Sequence, residues 1–417
     1  MKIAIIGAGI SGMGAAYLLS QDHDVTLYDK NDYIGGHSRT IDVSDDKSPI
    51  VPVDTGFIVF NDWNYPNLFG LFNALDVPYQ KSDMSFGVSI DNGWLEYASG
   101  GLFSQYKNIF RPKFWGMILD ILKFNKQAIT YIERDDNISL GQCMDELDMG
   151  EWFKNYYLLA MGAAIWSCPI DTIMKFPAKN FLQFFKNHGL LNIIKRPQWY
   201  TVKGGSREYV TRLVNSVNAS VHANTSIKSV NPQPDGSHIV TTINGEQDTY
   251  DTVVFACHAD EALSLIDSPT TAEADILGAF KYQDNLVVTH RDETFMPKRK
   301  KCWASWIYLS EGRNDNKDTV SLSYWMNNLQ NLKTDYPLLV TLNPGRKPAA
   351  DKIIDEHVFS HPIFDDGAIK AQAKIYDIQG KRGLWFCGAY QRYGFHEDGL
   401  LSAVNVAKGI GVSIPWE

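Results

Sequence analysis

The chain has 417 residues, 44% of them hydrophobic and 21% charged. That suits two interleaved domains with a large core and excludes disorder, a collagenous repeat and a disulfide mini-protein. Its 39 basic residues against 48 acidic ones leave a formal charge of −9, the opposite lean to a general nucleic-acid binder. No run of roughly 18 residues is free of charge, which argues against a multi-pass membrane protein. Five cysteines (Cys143, Cys168, Cys257, Cys302 and Cys387) are scattered without any CxxC, so a reducing compartment and no metal site are predicted. The N-terminal apolar run is too short and too poor in basic residues for a signal peptide, and a cytoplasmic protein is expected. Aromatic residues at 12%, with 11 Trp, exceed what a core alone uses and point to a large apolar pocket.

In chain order, the first predicted element is a buried parallel strand, Lys2-Ile3-Ala4-Ile5-Ile6, short and β-branched. It runs into Gly7-Ala8-Gly9-Ile10-Ser11-Gly12, then a helix from Met13 to Leu19. A second strand, Val25 to Tyr28, ends at Asp29, 22 positions after Gly7. Gly7 permits the tight turn, Gly9 lets a pyrophosphate approach the backbone, and Gly12 lets helix and strand pack closely. The helix N-terminus at Ser11 supplies N–H donors and a positive dipole end. Asp29, with Lys30 beside it, would meet the adenosine ribose. Strand, glycines, helix, strand and acid in this order set a dinucleotide cradle apart from an ordinary glycine-rich turn.

A second glycine pair follows in Gly35-Gly36-His37-Ser38-Arg39-Thr40. It resembles the FAD signature of the amine oxidase, phytoene desaturase and protoporphyrinogen oxidase superfamily. That group usually has Glu at the ribose acid and Arg after the glycine pair, where this chain has Asp29 and His37. His37 either donates to a phosphate or merely lines a turn. Val53-Asp54-Thr55-Gly56-Phe57 resembles the segment that runs under the flavin in the same superfamily, with Gly56 permitting close backbone approach.

Near the middle, the pattern around Ile227, the strand pair 239–242 and 248–250, and the strand ending at Ala256 resemble the return to the FAD domain. The resemblance implies that a backbone group near Ile227 meets adenine. Cys257 and His258 follow, and either could face the cofactor; a satisfied loop histidine is the plain reading. At the C-terminal end, Gly388, Ala389 and Tyr390 form a turn, and Gly394-Phe395-His396-Glu397-Asp398-Gly399-Leu400 opens a helix reaching about Gly409. In the superfamily such a helix faces the flavin with its N-terminal amides. His396, Glu397 and Tyr390 are the candidate catalytic groups, with helix capping as the alternative task for Glu397.

The whole chain resembles a bacterial branch of predicted NAD/FAD-binding oxidoreductases related to fatty-acid desaturating and double-bond-isomerising flavoenzymes. The resemblance rests on Asp54 to Asn61, Ser82 to Phe86, Trp303 to Trp306, Tyr324 to Gln330, Val340 to Pro344 and Gly394 to Gly399. It implies an α/β fold: a Rossmann-type FAD-binding domain (1–74, 200–264 and 376–417) interleaved with an α+β substrate domain (75–199 and 265–375). Non-covalent FAD is the implied cofactor and a fatty-acyl lipid the implied substrate, with a flavin amine oxidase or a flavin-bearing non-catalytic partner as alternatives.

Phe114 to Ile132 and Phe176 to Ile194 read as aromatic-rich helices. Lys175, Lys179, Lys186, Lys195, Arg196, Lys203 and Arg207 carry seven positive charges with no acid between them. Peripheral contact with the inner face of a membrane is the functional reading of that face; a solvated helix surface is the plain one. Lys298-Arg299-Lys300-Lys301 is expected to be a solvated hairpin tip. Trp303, Trp306, Tyr308, Tyr324, Trp325 and Met326 wall either a long apolar pocket or the core.

Overall fold

A computed structural model describes residues 1–45, 48–134, 138–166, 170–192, 195–312 and 320–417. At its centre the strand Lys2–Ile6 lies between Asp24–Tyr28 and Thr252–Phe255 in a five-stranded parallel sheet, with Ala219–His222 and Leu384–Phe386 at the edges. Its last four residues are buried, as a strand covered on both faces requires. The first helix, Ile10–Leu19, has nine of its ten residues buried. It is wedged between this sheet and the C-terminal helix, His396–Ile410. Small residues allow the wedge: a Cβ on Gly14 would stand 2.6 Å from Leu400 Cδ1. An antiparallel meander, Ile227–Pro232, His238–Thr242 and Gln247–Tyr250, follows the sheet's edge strand in the chain.

A seven-stranded sheet forms the second body, in the order Ile353–Ile363, Lys281–His290, Leu339–Leu342, Val320–Trp325, Trp306–Ser310, Phe86–Ile90 and Leu95–Ala98. All neighbours are antiparallel except Trp306–Ser310 with Phe86–Ile90. A helical cap packs beside it, led by a long helix, Pro112–Ile132. Phe114, Phe124, Phe153, Phe181 and Phe185 form its aromatic core.

The helix predicted to run from Phe176 to Ile194 covers Ala178–Asn187 only. Gly189, at φ +66°, turns the chain out of the helix; Ile193 and Ile194 lie outside the described residues. The predicted hairpin tip at Lys298–Lys301 is instead the approach to a 3-10 turn, Lys300–Cys302. Arg299 holds it down by reaching the fully buried Glu96 at 2.6 Å, and Glu96 also accepts the Lys298 N–H at 2.7 Å.

Candidate active site

The glycine turn is built as a cradle with one open side. Gly7 sits at φ +104°, and a Cβ there would lie 2.8 Å from the Ala256 carbonyl carbon. A Cβ on Gly12 would stand 1.7 Å from the Gly7 carbonyl oxygen, so Gly12 is a packing position behind the turn. At Gly9 the side-chain direction meets nothing within 4 Å. Gly9 is also the N-cap of the first helix and offers no side-chain cap, so that N-terminus stays open to a ligand. Gly36, at φ +58°, closes over Gly9 with room for a hydrogen only, since its Cβ would be 3.0 Å from the Gly9 Cα.

Asp29 accepts the Ala8 N–H at 2.7 Å and the Asn31 N–H at 2.8 Å, so it shapes the turn as well as lining the cavity. Lys30 forms an ion pair with Glu261 on the same wall. Ser11, Ile227 and Ala256 line this end too, with Cys257 and His258. His37 is turned into the wall, stacked on Phe359 at 4.7 Å and beside His361 at 5.1 Å. Burial holds its pKa well below the ordinary histidine value, so it stands as a neutral donor and acceptor.

Further along, Thr55, Gly56 and Phe57 meet Gly388, Ala389, Tyr390 and His396 around the same cavity. Gly56 is forced by proximity: its Cβ would lie 2.1 Å from the His37 carbonyl oxygen. The Phe57 ring stacks on the His396 ring at 3.8 Å and 9°. His396 Nε2 meets the Tyr209 hydroxyl at 2.7 Å and Ser38 Oγ at 3.2 Å. Burial drives its pKa down to about 3, so it is neutral at physiological pH. Tyr390 is buried with its hydroxyl unpartnered among the described residues, and burial raises its pKa well above the ordinary phenol range.

Glu397 departs from the expected catalytic role. Its carboxylate turns away from the cavity and accepts the backbone N–H groups of Asn67 at 3.0 Å and Leu68 at 2.9 Å, plus the Asn67 side chain at 2.7 Å. It caps another helix, Pro66–Ala74, whose own N-cap residue Tyr65 has no capping side chain. Four proposed cofactor contacts also stand behind the wall rather than in it: Gly12, Ser38, Gly399 and Leu400. Gly399 is the close-packing point of the terminal helix on the first, its Cβ direction 2.9 Å from Ser11 Oγ, and Leu400 is core.

Sequence reasoning passed over Asp54. Its fully buried carboxylate accepts from Thr40 at 2.6 Å, from the Ser206 N–H and hydroxyl at 2.8 Å each, and from Gln330 at 2.8 Å. Burial raises its pKa to about 6. Through Gln330 it ties the segment beneath Thr55 to the substrate side.

From the glycine turn the cavity continues into an apolar chamber under the cap, about 1780 Å3 in all. Ile118, Ile121 and Leu122 of the long helix form one wall, and Trp306 and Tyr324 of the seven-stranded sheet form another. Trp303 and Trp325 pack on each other at 5.4 Å instead, while Tyr308 and Met326 are core. At the far side Phe184 stacks on His188 at 3.9 Å and on Phe395 at 5.3 Å. Burial lowers the His188 pKa to about 4, so this imidazole too is neutral at physiological pH.

An uncapped helix N-terminus, a glycine turn open on one side and a two-lobed fold define a dinucleotide-binding protein of the Rossmann class. Residues 5–75 match the NAD(P)-binding Rossmann-like domain family. Over 98% of both chains the fold is similar to a fatty acid isomerase from P. acnes that produces CLA, with a TM-score of 0.71 at 15% identity. A putrescine oxidase solved with putrescine is similar over 98% of this chain and 99% of its own, with a TM-score of 0.69 at 14% identity. In sequence, a "probable zeta-carotene desaturase" of Synechococcus elongatus is 22% identical over 169 residues, 37% of this chain. The match spans about a third (34%) of that relative's length. These likenesses show a Rossmann-type nucleotide-binding domain at residues 5–75 and an overall fold shared with those solved structures.

Proposed function

We propose that the protein is an FAD-dependent oxidoreductase that acts on a C–H bond of an apolar substrate of fatty-acyl type. The observation that carries this reading is the continuity of the cavity: the dinucleotide turn and the apolar chamber share one space of about 1780 Å3. A pocket for one small ligand is typically about 300–1,000 Å3, so this one has room for a cofactor and a long substrate together. Gly9, Ser11, Gly36 and Ala256 would hold the dinucleotide, and Gly56, Phe57, Gly388 and Ala389 would flank its ring system. A bound flavin supplies reversible hydride acceptance.

The chain's own residues supply placement and dryness. Phe184, Phe395, Trp306 and Tyr324 present apolar surface and exclude water. The N-terminus of the terminal helix lies at the cavity wall at His396, and Asp398 in its first turn accepts the Phe395 N–H at 3.0 Å. His396 is a positioning residue: its ring supports Phe57, and its Nε2 is engaged by Tyr209 and Ser38. Tyr390, held protonated by burial, is a titratable group of the cavity wall. The similarity to a fatty acid isomerase and to a carotenoid desaturase supports a long apolar substrate.

The test is anaerobic addition of unsaturated fatty acids to the purified flavoprotein. Bleaching of the oxidised-flavin band at about 450 nm supports net desaturation. An unchanged band with a moved double bond supports isomerisation with hydride return. Bleaching by diamines but by no lipid would replace this reading with an amine oxidase. An inert flavin with both would replace it with a non-catalytic role.

A further inference from the structure

The long helix Pro112–Ile132 has more apolar surface than its packing uses. Phe114, Met117 and Phe124 are buried, and Ile118 and Ile121 face the cavity. Trp115, Leu119 and Leu122, spaced four and three residues apart, share a further stripe that stays 45%, 64% and 46% exposed. Just ahead of the helix a 3-10 turn, Tyr106–Phe110, adds Tyr106 at 68% and Phe110 at 84%. Single exposed apolar residues are ordinary, but a contiguous set of this size marks an interaction surface.

What lies beside the set indicates its partner. Tyr106 and Lys107 of the turn, together with Arg299, Lys300 and Lys301, line a small cleft of about 580 Å3. Arg299 is committed to Glu96. Lys107, Lys300 and Lys301 have no carboxylate partner among the described residues. The Lys301 ammonium stands 5.9 Å from the Tyr106 ring, so cation and exposed aromatic belong to one patch. On a chain of net charge −9 this concentration of cations is local. Aromatic and leucine side chains beside unpaired lysines match an anionic bilayer, with rings at the acyl boundary and ammonium groups at the phosphates.

We propose that the Tyr106–Phe110 turn and the exposed stripe of the long helix dock this protein on an anionic phospholipid bilayer, with the Lys107–Lys300–Lys301 cleft taking lipid phosphate groups. Leu122 lies on both the stripe and the cavity wall, so an acyl chain leaving the bilayer would meet the chamber directly. That last consequence rests on the acyl-substrate reading; the docking itself does not.

The test uses the full-length flavin-loaded protein and needs no turnover. It is sedimented with vesicles of phosphatidylcholine alone, and of phosphatidylcholine with an equal part of phosphatidylglycerol. Binding is expected only to the second, and weakening with salt. Lys107→Glu/Lys300→Glu/Lys301→Glu should weaken it about 100-fold, at about fivefold for each basic side chain. Phe110→Ser/Leu119→Ser should weaken it while leaving the melting temperature unchanged. Equal binding to both vesicles, unaltered binding by the charge variant, or no vesicle binding would overturn the proposal. So would a stable dimer through this face that ignores vesicles. Inactivity on fatty acids with intact vesicle binding would remove the acyl-substrate reading and leave the docking in place.

Discussion

At the dinucleotide end the cavity wall is largely backbone: glycines at Gly7, Gly9 and Gly36, and the exposed N–H groups of a helix start. At the cap end it is side chains: Ile118, Ile121, Trp306 and Tyr324 on elements far apart in the chain. The first wall recognises charge at close range, and a side chain added at Gly9 would occupy the ligand's space. The second recognises only shape and dryness, and exchanges of similar volume leave it working. The two ends should therefore fail differently when changed.

The largest effect is expected at Gly9. A side chain there enters open space and so leaves the fold intact, but it fills the place where a phosphate would approach. Gly9→Val should keep its circular dichroism and lose at least about tenfold of its flavin affinity, since the helix-start donors then lose their acceptor. Gly12→Ala is the contrasting variant: its Cβ collides with the Gly7 carbonyl, and it should fail to fold stably. Stoichiometric flavin retained by Gly9→Val would show that this turn is not the cradle.

Changing the cap should spare the cofactor. Ile121→Glu places a charge in the apolar chamber, far from the glycine turn in sequence and in chemistry. The expected result is normal flavin content with KM for a long acyl substrate raised about tenfold or more. Lost flavin in this variant would mean that the two ends are not independent.

The same contrast explains what could be read from the sequence. The cradle is local: strand, turn, helix and acid lie within 29 residues, each setting the geometry of the next. Wherever partners are distant, adjacency misled. Glu397 follows His396 in the chain and looked like a second catalytic group, yet its carboxylate is bound by a helix start 330 residues away. The Asp54 network joins partners 152 and 276 residues apart, and no spacing rule links them. In the basic run Lys298–Lys301 the three lysines are exposed as expected, but Arg299 is tied to the buried Glu96, 203 residues off.

Glu397 also gives the smallest effect, and one with a definite sign. Burial raises its pKa from 4.5 to about 7, and Asp398 next to it is raised by burial as well. A carboxyl group whose folded pKa exceeds its unfolded value binds more protons in the folded state between those two values. Its contribution to stability is fully present below 4.5 and is lost as pH rises to about 7. The loss is worth about 3 kcal/mol across that window. Asp54, raised from 3.8 to about 6, acts in the same direction and will persist in any Glu397 variant. Buried neutral histidines such as His188 and His396, with pKa values lowered to about 4 and about 3, bind fewer protons folded than unfolded and act in the opposite direction, so the effect is read between two proteins: the stability by which wild type exceeds Glu397→Gln should shrink as pH rises from about 5 to about 8. The variant should also start lower at pH 5, because an amide nitrogen cannot accept the Leu68 N–H that a carboxyl oxygen accepts. Parallel curves for the two proteins would mean that Glu397 stays ionised in its cap. The helix dipole at Asn67 and Leu68 would then outweigh the desolvation that burial imposes.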